Sequence, residues 1–261
     1  MNSEEFKDYS FVFDIDGTLL SFETHRVSAG TIEAFARLRN KGIKTFICSG
    51  RAKVLVPQMP LLFDGRITVT GGYCEVGEKV IYRNPLNRDD AQRWMDYADR
   101  HNYVSMAFTE HEMFTNHIDE LARQLRDQLE FEMPRLRPNS ELVDEDIYQF
   151  IAMIPATLDK EVLAMLPHSR LPRWHPAFSD LVPADSSKAV GMEKILAHFG
   201  IKREESIAFG DGANDIEMLE YAGIGVAMGN ASDKVKQHAD HVTTDVDHEG
   251  IWTAVETLGL A

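Results

Sequence analysis

Phe11-Val12-Phe13-Asp14-Ile15-Asp16-Gly17-Thr18 is an apolar run that ends in two carboxylates two residues apart, followed at once by a glycine. Three large apolar residues bounded by a turn signal suit a strand covered on both faces, as in a parallel α/β sheet, where functional groups gather at the carboxyl ends of the strands. Asp14 falls at that edge. Gly17 lets the chain turn sharply, and the spacing of Asp14 and Asp16 allows both side chains to approach one small ligand across the turn. Two such acids suit nucleophile and acid/base chemistry on a phosphoryl group. The octapeptide taken alone also admits a strand-end turn with two solvated acids.

Outward from this stretch, Ser28 can cap a helix whose apolar residues Ile32, Phe35 and Leu38 share one face, and Gly42 stops it. Ile43 to Cys48 then reads as a second strand ending at Ser49-Gly50-Arg51, which places a hydroxyl and a cation at another carboxyl edge. Strand, helix, strand is a βαβ unit. A third run, Ile67 to Thr70, ends at Gly71-Gly72, and a hairpin from Tyr73 to Tyr82 turns around Gly77.

From about Asn84 the pattern changes: helical periodicity at 88–100 and 117–131, the latter with Ile118, Leu121, Leu125 and Leu129 on one face, strands at 103–108 and 148–154, and a further helix at 158–166. After Pro183 the alternation of buried strands and helices resumes, with a helix ending at Gly200, strand Ser206 to Phe209 running into Gly210-Asp211, and strand Ile224 to Met228 before Gly229-Asn230. One parallel domain is thus interrupted by an inserted α/β unit.

The 261 residues allow one large domain or two modest ones. With 27 Lys plus Arg against 42 Asp plus Glu, the net charge of −15 disfavours nonspecific attraction to nucleic acid or anionic membrane. An anionic ligand therefore needs a local cluster of metal, lysine and backbone N–H groups to overcome the global field. Cys48 and Cys74 lack metal-ligand spacing and read as reduced packing residues. No apolar stretch approaches the ~20 residues that span a bilayer, and the acidic N-terminus does not resemble a secretory signal, so the expected location is cytoplasmic.

Asp14 and Asp16, Ser49, Lys188, and Gly210-Asp211-Gly212-Ala213-Asn214-Asp215 follow one another in order along the chain. Together they resemble the haloacid dehalogenase superfamily of phosphohydrolases. Tyr73, the run from Arg173 to Asp180, and His198-Phe199-Gly200 are similar to its Cof-like sugar-phosphate phosphatases, especially bacterial hexose phosphate phosphatases. The resemblance implies a Rossmann-like parallel-sheet core over 1–83 and 183–261 with an inserted α/β cap over 84–182.

It also implies roles. Asp14 is the expected nucleophile, giving an aspartyl-phosphate, and Asp16 the acid/base that serves the leaving group and then the hydrolytic water. Asp14, a main-chain carbonyl of Asp16, and Asp211 are expected around Mg²⁺, a hard cation that prefers oxygen ligands. Asn214 and Asp215 stand behind them, Asp215 with the alternative of a helix N-terminal acid. Ser49 would donate to a phosphoryl oxygen and Lys188 would balance charge, against the plainer readings of an N-capping serine and a solvated lysine.

Arg51 and Lys53 are candidates for substrate contact or surface roles; Glu110, His111 and Trp174 are cap candidates to reach the substrate, with packing the favoured reading for Trp174. Thr70 departs from relatives, which often carry Asn there. The expected activity is Mg²⁺-dependent hydrolysis of a small phosphate monoester, most naturally a hexose phosphate. A phosphomutase and a phosphatase of another small metabolite such as pyridoxal phosphate are the enzymatic alternatives. A phosphoaspartate signalling receiver and a silent sugar-phosphate binder are the non-enzymatic ones.

Overall fold

A computed structural model describes residues 9–129, 131–173 and 175–259. The opening run is β1 (Ser10–Phe13), wholly buried. Successive strand residues face opposite sides, and Phe11 and Phe13 accordingly enter one apolar layer with Phe35, Leu38, Phe209, Ile251 and Val255. Val12 enters the other, with Phe46, Met192, Ile195 and Met218. Burial on both faces is what a continuous apolar strand requires.

The chain continues through α1 (Ala29–Asn40), β2 (Lys44–Cys48), β3 (Gly65–Thr68) and the hairpin β4 (Tyr73–Val76) and β5 (Lys79–Arg83). Ser28 caps α1 by accepting the Thr31 amide proton at 3.1 Å. The inserted segment holds α2 (Arg88–His101), β6 (Ser105–Phe108), β7 (Met113–Thr115), α3 (Glu120–Leu129), β8 (Arg135–Leu136), β9 (Gln149–Ala152), α4 (Asp159–Met165), β10 (Ser169–Arg170) and β11 (Ser179–Pro183). The chain then returns through α5 (Lys188–Phe199), β12 (Ser206–Gly210), α6 (Ile216–Tyr221), β13 (Ile224–Ala227), α7 (Asp233–Lys236), β14 (His241–Val242) and α8 (Gly250–Thr257).

Two units result. One comprises the chain up to Arg51, Val56–Arg83 and the chain from Ser187 onward. Its sheet runs β14-β13-β12-β1-β2-β3-β4-β5, parallel except for the β4 and β5 hairpin. The other comprises Ala52–Leu55 and Asn84–Ser186, with a sheet in the order β10-β11-β9-β6-β7-β8. Its core gathers Trp94, Met95, Phe114, Phe150, Val162 and Leu181, and the buried Trp94 Nε1 donates to Ser105 Oγ at 2.8 Å.

Three details differ from the sequence reading. The units change over at Ser186 and Ser187 rather than after 182, because β11 runs through Pro183 and pairs antiparallel with β9 and β10. The helix expected over 117–131 starts only at Glu120, where the Asp119 carboxylate accepts the Ala122 amide proton at 2.7 Å. Leu121 and Leu129, which periodicity puts on one face with the buried Leu125, are themselves 40% and 37% exposed. Finally, β3 stops at Thr68, and Val69 and Thr70 turn into the left-handed region.

Candidate active site

Three parallel neighbours deliver their next residues to one edge. Phe13 is in register with Phe209 of β12 and Ile47 of β2, so Asp14 stands level with Gly210 and Cys48, and Asp211 and Ser49 follow one residue further along the same edge. The Asp14 amide donates to Phe209 O at 2.9 Å, which fixes where the carboxylate begins.

The turn after Asp14 depends on Gly17. Its φ of +79° is open to glycine, and a Cβ there would lie 2.2 Å from Asp211 Oδ2. Absence of a side chain thus lets Asp211 close on the turn, where Thr18 Oγ1 donates to Asp211 Oδ1 at 2.8 Å. Asn230, just past β13, donates to Gly17 O at 2.8 Å and accepts the Val246 amide proton at 3.0 Å. Neither Thr18 nor Asn230 is singled out by sequence reasoning, although Gly229-Asn230 marks a strand end as Gly210-Asp211 does.

Lys188 arrives from the far side of the insertion. Gly71, with φ +87°, leaves space for Ser187 O, which would stand 1.8 Å from a Cβ at that position. The close approach seats the first turn of α5 beside the sheet and buries Lys188 completely. Its Nζ lies 2.5 Å from Asp14 Oδ1 and 2.5 Å from Asp215 Oδ1. A solvated lysine is excluded by this burial. Burial alone would lower the Lys188 pKa, but the Asp14 and Asp215 carboxylates outweigh it and raise it, so the ammonium is held protonated.

Asp215 is fully buried and uses its second oxygen to accept the Asp211 and Gly212 amide protons at 3.0 and 2.8 Å. These N–H groups precede it, so the side chain clamps the Gly210-Asp211-Gly212 turn rather than capping α6. Ser49 is 1% exposed, and its Oγ accepts the Arg51 amide proton at 3.1 Å, leaving the hydroxyl proton available to a ligand. Asn214 is exposed, its amide nitrogen beside Gly50.

The carboxylates of Asp14, Asp211 and Asp215 each present an oxygen within 4.8 Å of the others. Burial, followed by the charge of Asp215, pushes Asp14 well above the usual carboxylate range, although Lys188 opposes this. Burial likewise pushes Asp211 up to about 6, partly offset by the Thr18 hydrogen bond. Three acids sharing one ammonium in a largely buried site leave negative charge uncompensated. An all-oxygen donor set with that excess fits a hard divalent cation.

The Asp16 side chain is not among these three. It meets Arg51 instead, Oδ2 at 2.8 Å from Nε and Oδ1 at 2.7 Å from Nη2. The same hydrogen bonds raise the Arg51 pKa against the opposing effect of burial. Glu110 and His111 belong to the inserted unit, where they line a cavity of about 300 Å³ with Arg88, Asp144, Asp146 and Tyr148. Lys53 begins a short 3₁₀ turn assigned to that same unit, and Trp174 lies outside the described residues.

Thr70 lies beside Gly50 with φ +51°, directly after Val69 at φ +52°. β-Branched residues are strained there, at a cost on the order of 1–3 kcal/mol each, whereas Asn tolerates this region. Thr70→Asn is therefore expected to raise stability by about 1 kcal/mol, or roughly 2–4 °C in Tm for a chain of this size. A lower Tm in a thermal melt would show that the threonine side chain contributes more than the strain costs.

Residues 11–255 match the family of haloacid dehalogenase-like hydrolases. The chain is similar to the subclass IIB sugar phosphatase BT4131, with 37% identity and a TM-score of 0.88 over 97% of this chain and 100% of that one. It is similar to the phosphatase BT1666 of Bacteroides thetaiotaomicron, with 33% identity and a TM-score of 0.89 over 97% and 96% of the two chains. The putative phosphatase YkrA of Bacillus subtilis is 33% identical over 95% of this chain and 96% of its own length.

Proposed function

The chain belongs to the haloacid dehalogenase-like hydrolases and is a phosphatase, and from that premise we propose that it hydrolyses small sugar phosphates, hexose phosphates first, with Mg²⁺. The observation that carries this reading is Asp14: a carboxylate at the carboxyl end of the central strand, one oxygen fixed by a buried lysine. A carboxylate is a weak nucleophile, so its rate comes from being held in line with phosphorus. Lys188, on Asp14 Oδ1, orients the attacking group and reduces its repulsion from an incoming phosphoryl dianion. Ser49 donates its hydroxyl proton to a phosphoryl oxygen.

Attack by Asp14 breaks the bond from phosphorus to the ester oxygen, and Asp16 gives that oxygen its proton. Water then attacks the phosphorus of the aspartyl-phosphate, Asp16 takes the water's proton, and Asp14 is regenerated as phosphate departs. Asp14, Asp211 and the main-chain carbonyl of Asp16 would hold the Mg²⁺, with Asp215 and Asn214 behind. Bound there, the ion supplies Lewis-acid stabilisation of phosphoryl charge.

Glu110 and His111, in a polar cavity of the inserted unit, are the proposed readers of the leaving group. The similarity to a sugar phosphatase supports the substrate class. Among the described residues, no helix is long and apolar enough to cross a membrane.

A phosphate-release screen over hexose phosphates, nucleotides, pyridoxal phosphate and phosphoglycolate tests this. Hexose phosphates are expected to give the highest kcat/KM, with activity lost in excess chelator and restored by Mg²⁺. Glu110→Ala should reorder the hexose phosphates while sparing a small aryl phosphate. Preference for nucleotides would overturn the substrate class, full activity in chelator the metal role, and phosphoryl transfer between sugars without release would identify a mutase.

A further inference from the structure

Arg51 and Asp16 occupy turns after two different strands, 35 residues apart, yet they meet as a two-pronged pair. The base of each is anchored within the site. Arg51 donates its amide proton to Ser49 Oγ, and its carbonyl accepts the Val69 amide proton at 2.9 Å. Asp16 is followed by Gly17, whose amide donates to Leu20 O at 2.8 Å. The planar guanidinium engages both carboxylate oxygens at once, the geometry it also offers a phosphoryl group.

A general acid must come within about 2.6–3.2 Å of the leaving oxygen with a proton to give. Each Asp16 oxygen keeps a second lone pair, but the two-pronged Arg51 contact fixes the carboxylate's direction, so Asp16 cannot turn toward a leaving group without breaking an N–H···O bond. The pair is also accessible: the side chains are 39% and 36% exposed, so an anion can reach the fork, and a pair this solvated is readily exchanged.

We propose that Arg51 is exchanged between two anions, holding Asp16 when no substrate is bound and passing to the substrate's phosphoryl oxygens on binding, which releases Asp16 to face the leaving group. The acid/base is thereby freed only when a phosphoryl group is in place. No covalent bond changes in this step; two charge-assisted hydrogen bonds to a carboxylate are traded for two to a phosphoryl group. The inference rests on the phosphatase reading above, but its test does not depend on turnover.

Calorimetric titration with inorganic phosphate, in Mg²⁺, of the parent, Asp16→Asn, Arg51→Gln and the double variant isolates the exchange. In the parent, phosphate must displace Asp16 from the guanidinium, so Asp16→Asn should tighten phosphate binding about 3- to 10-fold. Removing a negative charge would do this generically, and the double variant separates the causes. If Arg51 is the shared group, the gain vanishes in the Arg51→Gln background, and Arg51→Lys, which keeps charge without the fork, retains only part of it. An equal gain with and without Arg51, or a parent that binds no phosphate, would overturn the exchange. Catalytic turnover with an additive cycle would leave the phosphatase assignment standing and remove this proposal alone.

Discussion

Asp14→Asn is expected to abolish phosphate release, by at least about 10³-fold, while leaving the circular dichroism spectrum unchanged. The amide is nearly the size of the carboxylate and can still accept from Lys188 through its carbonyl oxygen, so the 6%-exposed site stays filled and hydrogen-bonded. What it lacks is a lone pair able to attack phosphorus. Asp16→Asn should differ in kind: it retains the nucleophile, loses the proton relay, and falls by roughly 10²- to 10⁴-fold. Radiolabelled phosphoryl substrate should then leave label on Asp14, which acid quench and peptide mapping can locate. Hydrolysis by Asp14→Asn at the parent rate would sink the mechanism.

Lys188→Met carries the second large effect, and it falls on stability as well as rate. The ammonium lies between Asp14 and Asp215 with no exposed surface, and the thioether fills much of the same volume without its charge. Removing one member of a buried ionic cluster leaves its partners unpaired, at a cost of about 3–5 kcal/mol. Urea unfolding in excess chelator should show a loss of that size. Adding Asp215→Asn should recover part of it, because the two substitutions act on one cluster and do not add. Equal stability of parent and Lys188→Met would mean that the carboxylates are neutralised in some other way. Turnover should fall at least about 10²-fold even where the variant is folded, since the charge opposing phosphoryl repulsion is gone.

Local signals are legible in this chain wherever the physics is local. Phe11-Val12-Phe13 before Asp14 identifies a strand buried on both faces, Ser28 and Gly200 mark helix ends by their capping chemistry, and the Gly210-Asp211 edge repeats the pattern of the first strand. The same reading does not say that Leu121 and Leu129 stay partly exposed, because periodicity reports an amphipathic stripe but not how much of it finds a partner. It also extends β3 through Val69 and Thr70, whose β-branched side chains favour strands until the turn to Gly71 forces both out of one.

The sequence by itself thus determines the fold class and the order of the strand-end acids, and it singles out the carboxylates proposed to react. The tertiary structure decides what each of them touches. Lys188 reaches Asp14 across 174 residues, Thr18 reaches Asp211 across 193, and Arg51 captures Asp16 instead of standing free for substrate. Backbone propensity and side-chain periodicity act over a few turns of chain, whereas these pairings are set by which strands lie side by side in the sheet. Only closure of β12, β1 and β2 into one parallel edge brings the charges within reach, and only the burial that closure creates makes their pairing strong.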